Sequence, residues 1–181
     1  MTIIGIDPSI NSTGVCVCDG VDNKYYLISS KLTKKMQQFK HDRVKILPYI
    51  KMDTKGVEYS EKESNKFENI YRVCDYIQYI MDIHKPDMVY MEGVSYGSVG
   101  SAALVDLCFL NSAIRLVLRY NNIPFTIVSP TSLKKFACAN GQAEKLLMID
   151  AWKRLDNIGY LDGVKLDDLA DSYFLAHYNV E

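Results

Sequence analysis

The chain has 181 residues, of which 48% are hydrophobic and 24% charged, and its formal net charge is −1. That length suits one α/β domain with a sizeable core, and the composition excludes wholesale disorder. No uncharged apolar stretch nears the ~20 residues needed to cross a bilayer. With Asp7 so near the start, no secretory leader is expected either, so the chain reads as soluble and cytoplasmic with no membrane partner.

Thr2 to Asp7 is a short β run, and Pro8 to Gly14 reads as a turn because proline and glycine bracket small polar residues. Val15 to Cys18 resumes the β pattern, Asp19-Gly20 signals a hairpin, and Tyr25 to Ile28 supplies a third strand. These three predict an antiparallel meander. Residues 31–62 have no clean period and read as an irregular insertion holding a short helix, or a small hairpin around Val44–Val57. From Glu63 the period turns helical, with Phe67, Ile70, Cys74, Ile77, Met81 and His84 on one stripe, ended by Lys85-Pro86.

A further β run closes on Glu92, followed by a glycine- and serine-rich loop and a helix marked by Ala103, Leu107, Leu110, Ile114 and Val117. Phe125 to Val128 is the last strand, and Ser129-Pro130 is a helix start. Helices from about Gln142 to Arg154 and from Lys165 to Tyr178 complete the chain. The fold class is therefore α/β, a mixed five-stranded sheet with helices on both faces in a single domain over 1–181.

The charges are unevenly placed. Over residues 31–51, Lys31, Lys34, Lys35, Lys40, Arg43, Lys45 and Lys51 stand against Asp42 alone, whereas Asp156, Asp162, Asp167, Asp168 and Asp171 crowd the end. A basic arm beside a carboxylate-rich site can bind phosphates although the total charge is near zero; a solvated basic loop is the alternative. Cys16, Cys18, Cys74, Cys108 and Cys138 sit in or beside apolar segments without zinc-site spacing, so they read as buried free thiols.

Asp7 and Glu92 each end an apolar strand, where a carboxylate is costly to bury unless paired or metal-bound. Ligands of open α/β sheets gather beyond strand ends. Asp168 and Asp171 are three apart on the last helix and lean to one face. Either pair alone also reads as surface or capping acids. Four clustered carboxylates repel unless cations compensate, and hard oxygen donors suit Mg²⁺ or Mn²⁺.

Ile4-Gly5-Ile6-Asp7-Pro8-Ser9 through Thr13-Gly14 resembles the opening of the RuvC family of Holliday-junction resolvases. Met91-Glu92-Gly93-Val94 resembles that family's second acidic strand end, Pro130 to Lys135 with Gly141 to Lys145 its lysine-bearing segment, and Asp168-Leu169-Ala170-Asp171 its closing helix. The resemblance implies an RNase H-like fold and a crossover junction endonuclease giving 5′-phosphate and 3′-hydroxyl ends. It also implies two Mg²⁺ ions, with Mn²⁺ as a possible substitute, on Asp7, Glu92, Asp168 and Asp171, which are thereby the catalytic residues. Lys134, Lys135 and Lys145 would approach DNA phosphates, Lys34 and Lys35 would extend that contact, and Tyr96 would stack at the junction.

The family acts as a homodimer on branched DNA, and the helix from Ser101 to Arg119, with Cys108, Phe109 and Leu116 outside its stripe, is the candidate interface. Rich Asn, Lys, Ile and Tyr usage suits an AT-rich bacteriophage or bacterial genome. The long insertion puts strict four-way specificity in question. Competing readings are an RNase H-like hybrid nuclease, a noncatalytic branched-DNA-binding module and an actin-like ATP-binding domain.

Overall fold

The computed structural model describes residues 1–95, 102–159, 161 and 164–178. Strands β1 (Ile3–Asp7), β2 (Ser12–Cys18) and β3 (Asn23–Ser29) form the antiparallel meander. Strand β2 begins earlier than its turn-like sequence implied, because Thr13 pairs with Ile28 of β3 while Gly14 pairs with both Asp7 and Leu27. The insertion forms helix α1 (Lys34–Gln38) and strand β4 (Val44–Pro48), which pairs parallel with β3. It is not a hairpin, and it makes the sheet six-stranded rather than five-stranded. Apolar Val44 and Leu47 are buried at this edge, which the surrounding lysines concealed in the sequence.

Helix α2 (Tyr59–His84) leads to β5 (Met88–Glu92), parallel to β1, and α3 (Ala102–Tyr120) leads to β6 (Phe125–Val128), parallel to β5. Helices α4 (Pro130–Cys138), α5 (Lys145–Asp156) and α6 (Leu166–Ala176) follow. The strand order is β4-β3-β2-β1-β5-β6. With helices on both faces this is an RNase H-like α/β fold. No helix of the described residues is long and apolar enough to cross a membrane.

Alternation along the strands sorts side chains into two cores. Ile4, Ile6, Val15, Val17, Val89 and Met91 pack under α2 and α3. Cys16, Tyr25 and Leu27 pack on the other face, under α4, α5 and α6. The α2 stripe holds at Ile70, Cys74, Ile77 and Met81, but Phe67 is 67% exposed, since the helix begins earlier and its first turns overhang the sheet. On α3 the buried face is Leu110, Ile114 and Leu118, with Ala103 exposed.

Asp156 lies outside any acidic phosphate-facing patch. It is held by Asn23 Nδ2 and Tyr25 Oη at 2.7 Å each and by Arg43 at 3.2 Å, and Tyr25 in turn accepts from the buried Trp152 indole. One charge of the basic arm and one of the acidic tail therefore cancel within the structure. The five cysteines are free thiols, with Cys16 and Cys74 buried and the other three half-buried.

Gly5 and Gly14 set the position of α6. A Cβ at Gly5 would stand 2.1 Å from the Ser172 carbonyl oxygen and 2.4 Å from the Ala176 nitrogen. A Cβ at Gly14 would stand 2.1 Å from the Asp168 carbonyl oxygen. The helix backbone thus rests directly on the backbones of β1 and β2, a packing that only glycine permits. Replacing Gly5 with Ala must move the helix off the sheet and is expected to cost about 3 kcal/mol. Urea unfolding should show a clearly lower midpoint, and an unchanged midpoint would contradict this packing.

Candidate functional site

Asp7 ends β1 and Glu92 ends the adjacent parallel strand β5, where Ile6 is in register with Met91. Since Ile6 and Met91 point into the α2/α3 core, Asp7 and Glu92 point to the opposite face, where α6 lies. Asn111, buried in α3, donates to the Glu92 carbonyl at 3.0 Å and accepts from Arg115 at 2.6 Å, which fixes the end of β5. A polar residue inside an apolar helical stripe is the sequence signal that could have revealed it. The glycine bed then brings the first turns of α6, with Asp168 and Asp171, over the same strand ends.

The four carboxylates sense one another. The Asp7 carboxyl is raised well above its ordinary range, first by burial and then by the charges of Glu92, Asp171 and Asp168. Glu92 is raised by burial, although a proton shared from Asp7 and the charges of Lys134 and Lys145 oppose the shift. Asp171 is pushed up to about 7 by burial and by Glu92, Asp167 and Asp168. Asp168 is raised by burial against the pull of Lys165 and Ser12. Among the described residues, no group of three or more His, Cys, Asp or Glu side chains is placed so that it could hold a metal ion.

Two lysines pair with acids at the start of α6. Lys165 Nζ lies 2.6 Å from Asp168 Oδ1, and Lys145 Nζ lies 2.6 Å from Asp167 Oδ2. Burial raises the Asp167 carboxyl, but Lys145 and Lys165 outweigh it and hold the group below its ordinary range. Asp168 Oδ2 is buried and makes no hydrogen bond. The Ser12 hydroxyl is near enough to favour the charged form of Asp168, yet Ser12 Oγ, like Asp168 Oδ2, makes no hydrogen bond.

Lys134 and Lys145 therefore belong to this site, one half-buried on α4 and the other exposed at the start of α5. Helix α4 is capped as its sequence implies, with Ser129 Oγ accepting from Ser132 N and Pro130 in the first turn. Lys135 is exposed on the same helix, with no ion pair to the four carboxylates. Lys34 and Lys35 are exposed on α1, while their neighbours Thr33 and Met36 line a cleft with Lys165. Tyr96 lies outside the described residues. Sequence reasoning missed Lys165, whose signal is its spacing of three from Asp168, and it took Asp167 only as a helix-terminal acid rather than as the partner of Lys145.

No protein-family model matches the chain. It is 25% identical over 145 residues to the crossover junction endodeoxyribonuclease RuvC of Ehrlichia ruminantium (strain Welgevonden), covering 80% of this chain and 76% of that protein. Among solved structures it resembles Thermus thermophilus RuvC, with a TM-score of 0.60 at 17% identity over 97% of this chain and 91% of that one. The T. thermophilus RuvC complex with a Holliday junction substrate gives a TM-score of 0.63 at 15% identity, over 97% and 90% of the two chains. The yeast mitochondrial Holliday junction resolvase Ydc2 gives 0.54 at 18% identity, over 96% and 75%. The likeness to RuvC- and Ydc2-type proteins is thus structural over nearly the whole chain and weak in sequence.

Raised carboxyl values make a pH signature. Each of the four acids binds its proton more tightly folded than unfolded, so this stabilisation is complete below their unfolded values. It is lost as pH rises through the Asp171 value of about 7. With a chelator present, the melting temperature should fall between pH 5 and pH 8, and Asp171→Asn should reduce that fall. A pH-independent melting temperature, equal in wild type and D171N, would contradict the described electrostatics.

Proposed function

We propose that this chain is a divalent-metal-dependent endonuclease that cuts branched DNA, four-way junctions among them. The observation that carries the reading is the gathering of Asp7, Glu92, Asp168 and Asp171, from two strands and one helix, at the end of a sheet built like that of RuvC proteins. Buried carboxylates that hold their protons this tightly lack positive charge, and the unpaired, buried Asp168 Oδ2 is an open ligand position. The donor set, all carboxylate oxygen, fits Mg²⁺ or Mn²⁺.

In this reading Asp7, Glu92, Asp168 and Asp171 hold the ions. Divalent ions held there would supply an activated water and a charge sink for the leaving oxygen of a phosphodiester. Lys165 must then loosen its hold on Asp168 Oδ1, or Asp168 must bind through Oδ2. Lys134 and Lys145 take strand phosphates and set the register of the DNA without reading its sequence. The products would carry 5′-phosphate and 3′-hydroxyl ends.

The unit of function is read as one domain over 1–181 acting as a homodimer. Support for the dimer is an apolar groove of about 360 Å³ between α2 and α3, lined by Phe67, Phe109 and Leu116. Each of these three side chains is more than half exposed.

Asp7→Asn and Glu92→Gln each remove metal-binding charge with little change of volume. Both are expected to lower cleavage of a four-way junction by at least about a hundredfold, which corresponds to roughly 3 kcal/mol of barrier, while junction binding survives. The comparison should include a fork, a linear duplex and an RNA–DNA hybrid under one metal condition. Equal cutting by wild type and D7N would reject the metal role, and preference for the hybrid would reject branched DNA as the substrate.

A further inference from the structure

A second cleft, of about 430 Å³, adjoins the carboxylates between the start of β2, the β3–α1 connection and the residues leading into α6. Its chemistry is opposite to theirs. The lining carries two lysines, one asparagine, three serines and one threonine, and no carboxylate. Lys165 belongs to both places, since it lines this cleft while its Nζ holds Asp168 Oδ1.

Ser12 carries the inference. The residue is only 6% exposed and lines the cleft, yet its Oγ makes no hydrogen bond. A buried hydroxyl is costly to leave unpaired, so such an atom at a cavity wall marks the place of a missing acceptor. The hydroxyls of Ser29 and Thr33 are already engaged. Ser29 Oγ accepts from Lys31 N, and Thr33 Oγ1 accepts from Met36 N. Asn11 Oδ1 accepts from Lys51 Nζ at 2.7 Å, which leaves the amide nitrogen as its donor end. Lys31 makes no ion pair among the described residues.

Donors from Ser12 and Asn11 with two ammonium groups, and no carboxylate in the lining itself, select an anion with several oxygens that approaches from the side away from Asp168. We propose that the cleft is a second phosphate subsite, holding a backbone phosphate of the bound nucleic-acid strand beside the phosphate at the carboxylates. That the phosphate belongs to a nucleic-acid strand rests on the nuclease reading. The basic insertion thereby acquires a role: Lys31 and α1 form the outer wall of a path that ends at Asp168. Met36 and Val164 give this wall an apolar surface against which a sugar can lie.

The test measures affinity for fluorescein-labelled single-stranded and four-way-junction DNA across a salt series, in an Asp7→Asn background so that the DNA stays whole. Lys31→Ala is expected to weaken binding about fivefold and to lower the salt slope by about one. Ser12→Ala is expected to weaken binding about tenfold, the loss of one hydrogen bond to a charged oxygen. Lys85→Ala, at the opposite end of β1, should bind like its parent. Parent-like affinity for both cleft variants would overturn the subsite. If the unsubstituted protein still cuts branched DNA in that case, the nuclease reading stands alone. Saturable binding of inorganic phosphate at Ser12, with DNA affinity unaffected by either variant, would assign the cleft to a free anion and overturn the strand. A parent that does not bind DNA, together with an unsubstituted protein that does not cut it, would overturn both readings.

Discussion

The site depends on a contact between backbones. Helix α6 lies against Gly5 and Gly14 so closely that a single methyl group on either would collide with the main chain of the helix. Those two glycines are on neighbouring strands and face the same side of the sheet as Asp7. The contact that builds the core under α6 is therefore also the contact that carries Asp168 and Asp171 to the ends of β1 and β5. Stability and site geometry are one constraint here, and the stabilising burial of Leu169, Phe174 and Leu175 holds four mutually repelling acids in place.

That repulsion is the second organising force. Burial and mutual charge raise all four carboxyls, while Lys165 and Lys145 supply positive charge at Asp168 and Asp167. The lysines neutralise only part of the cluster, and a buried carboxylate oxygen is still unpaired. The serine- and lysine-lined cleft next to it has the reverse polarity, so acid and base are separated by the width of one side chain, Lys165.

Much of this was legible in the sequence, for identifiable reasons. The strand-terminal positions of Asp7 and Glu92 and the three-residue spacing of Asp168 and Asp171 are local patterns, and local patterns survive without coordinates. The meander, the cap at Ser129 and the halt at Lys85-Pro86 were readable on the same ground. Strand β4 was not, because an edge strand of five residues among lysines carries no period strong enough to separate it from loop. Phe67 fitted a helical stripe but overhangs the sheet, since periodicity gives a face and not the extent of what the face meets. Asp156 counted as one more acid in a charged tail until its partners, 113 to 133 residues distant, became visible. Ser12 had no signal at all, as an unpaired hydroxyl is a property of its surroundings.

The central claim is that the acids borne by β1, β5 and α6 close on divalent cations. Crystals grown with saturating Mn²⁺ and measured at the manganese absorption edge address it directly. The account predicts anomalous density bounded by Asp7, Glu92, Asp168 and Asp171, with Lys165 displaced from Asp168 or Oδ2 engaged in its place. Absence of density there, with Asp168 still held by Lys165 at saturating Mn²⁺, would contradict it.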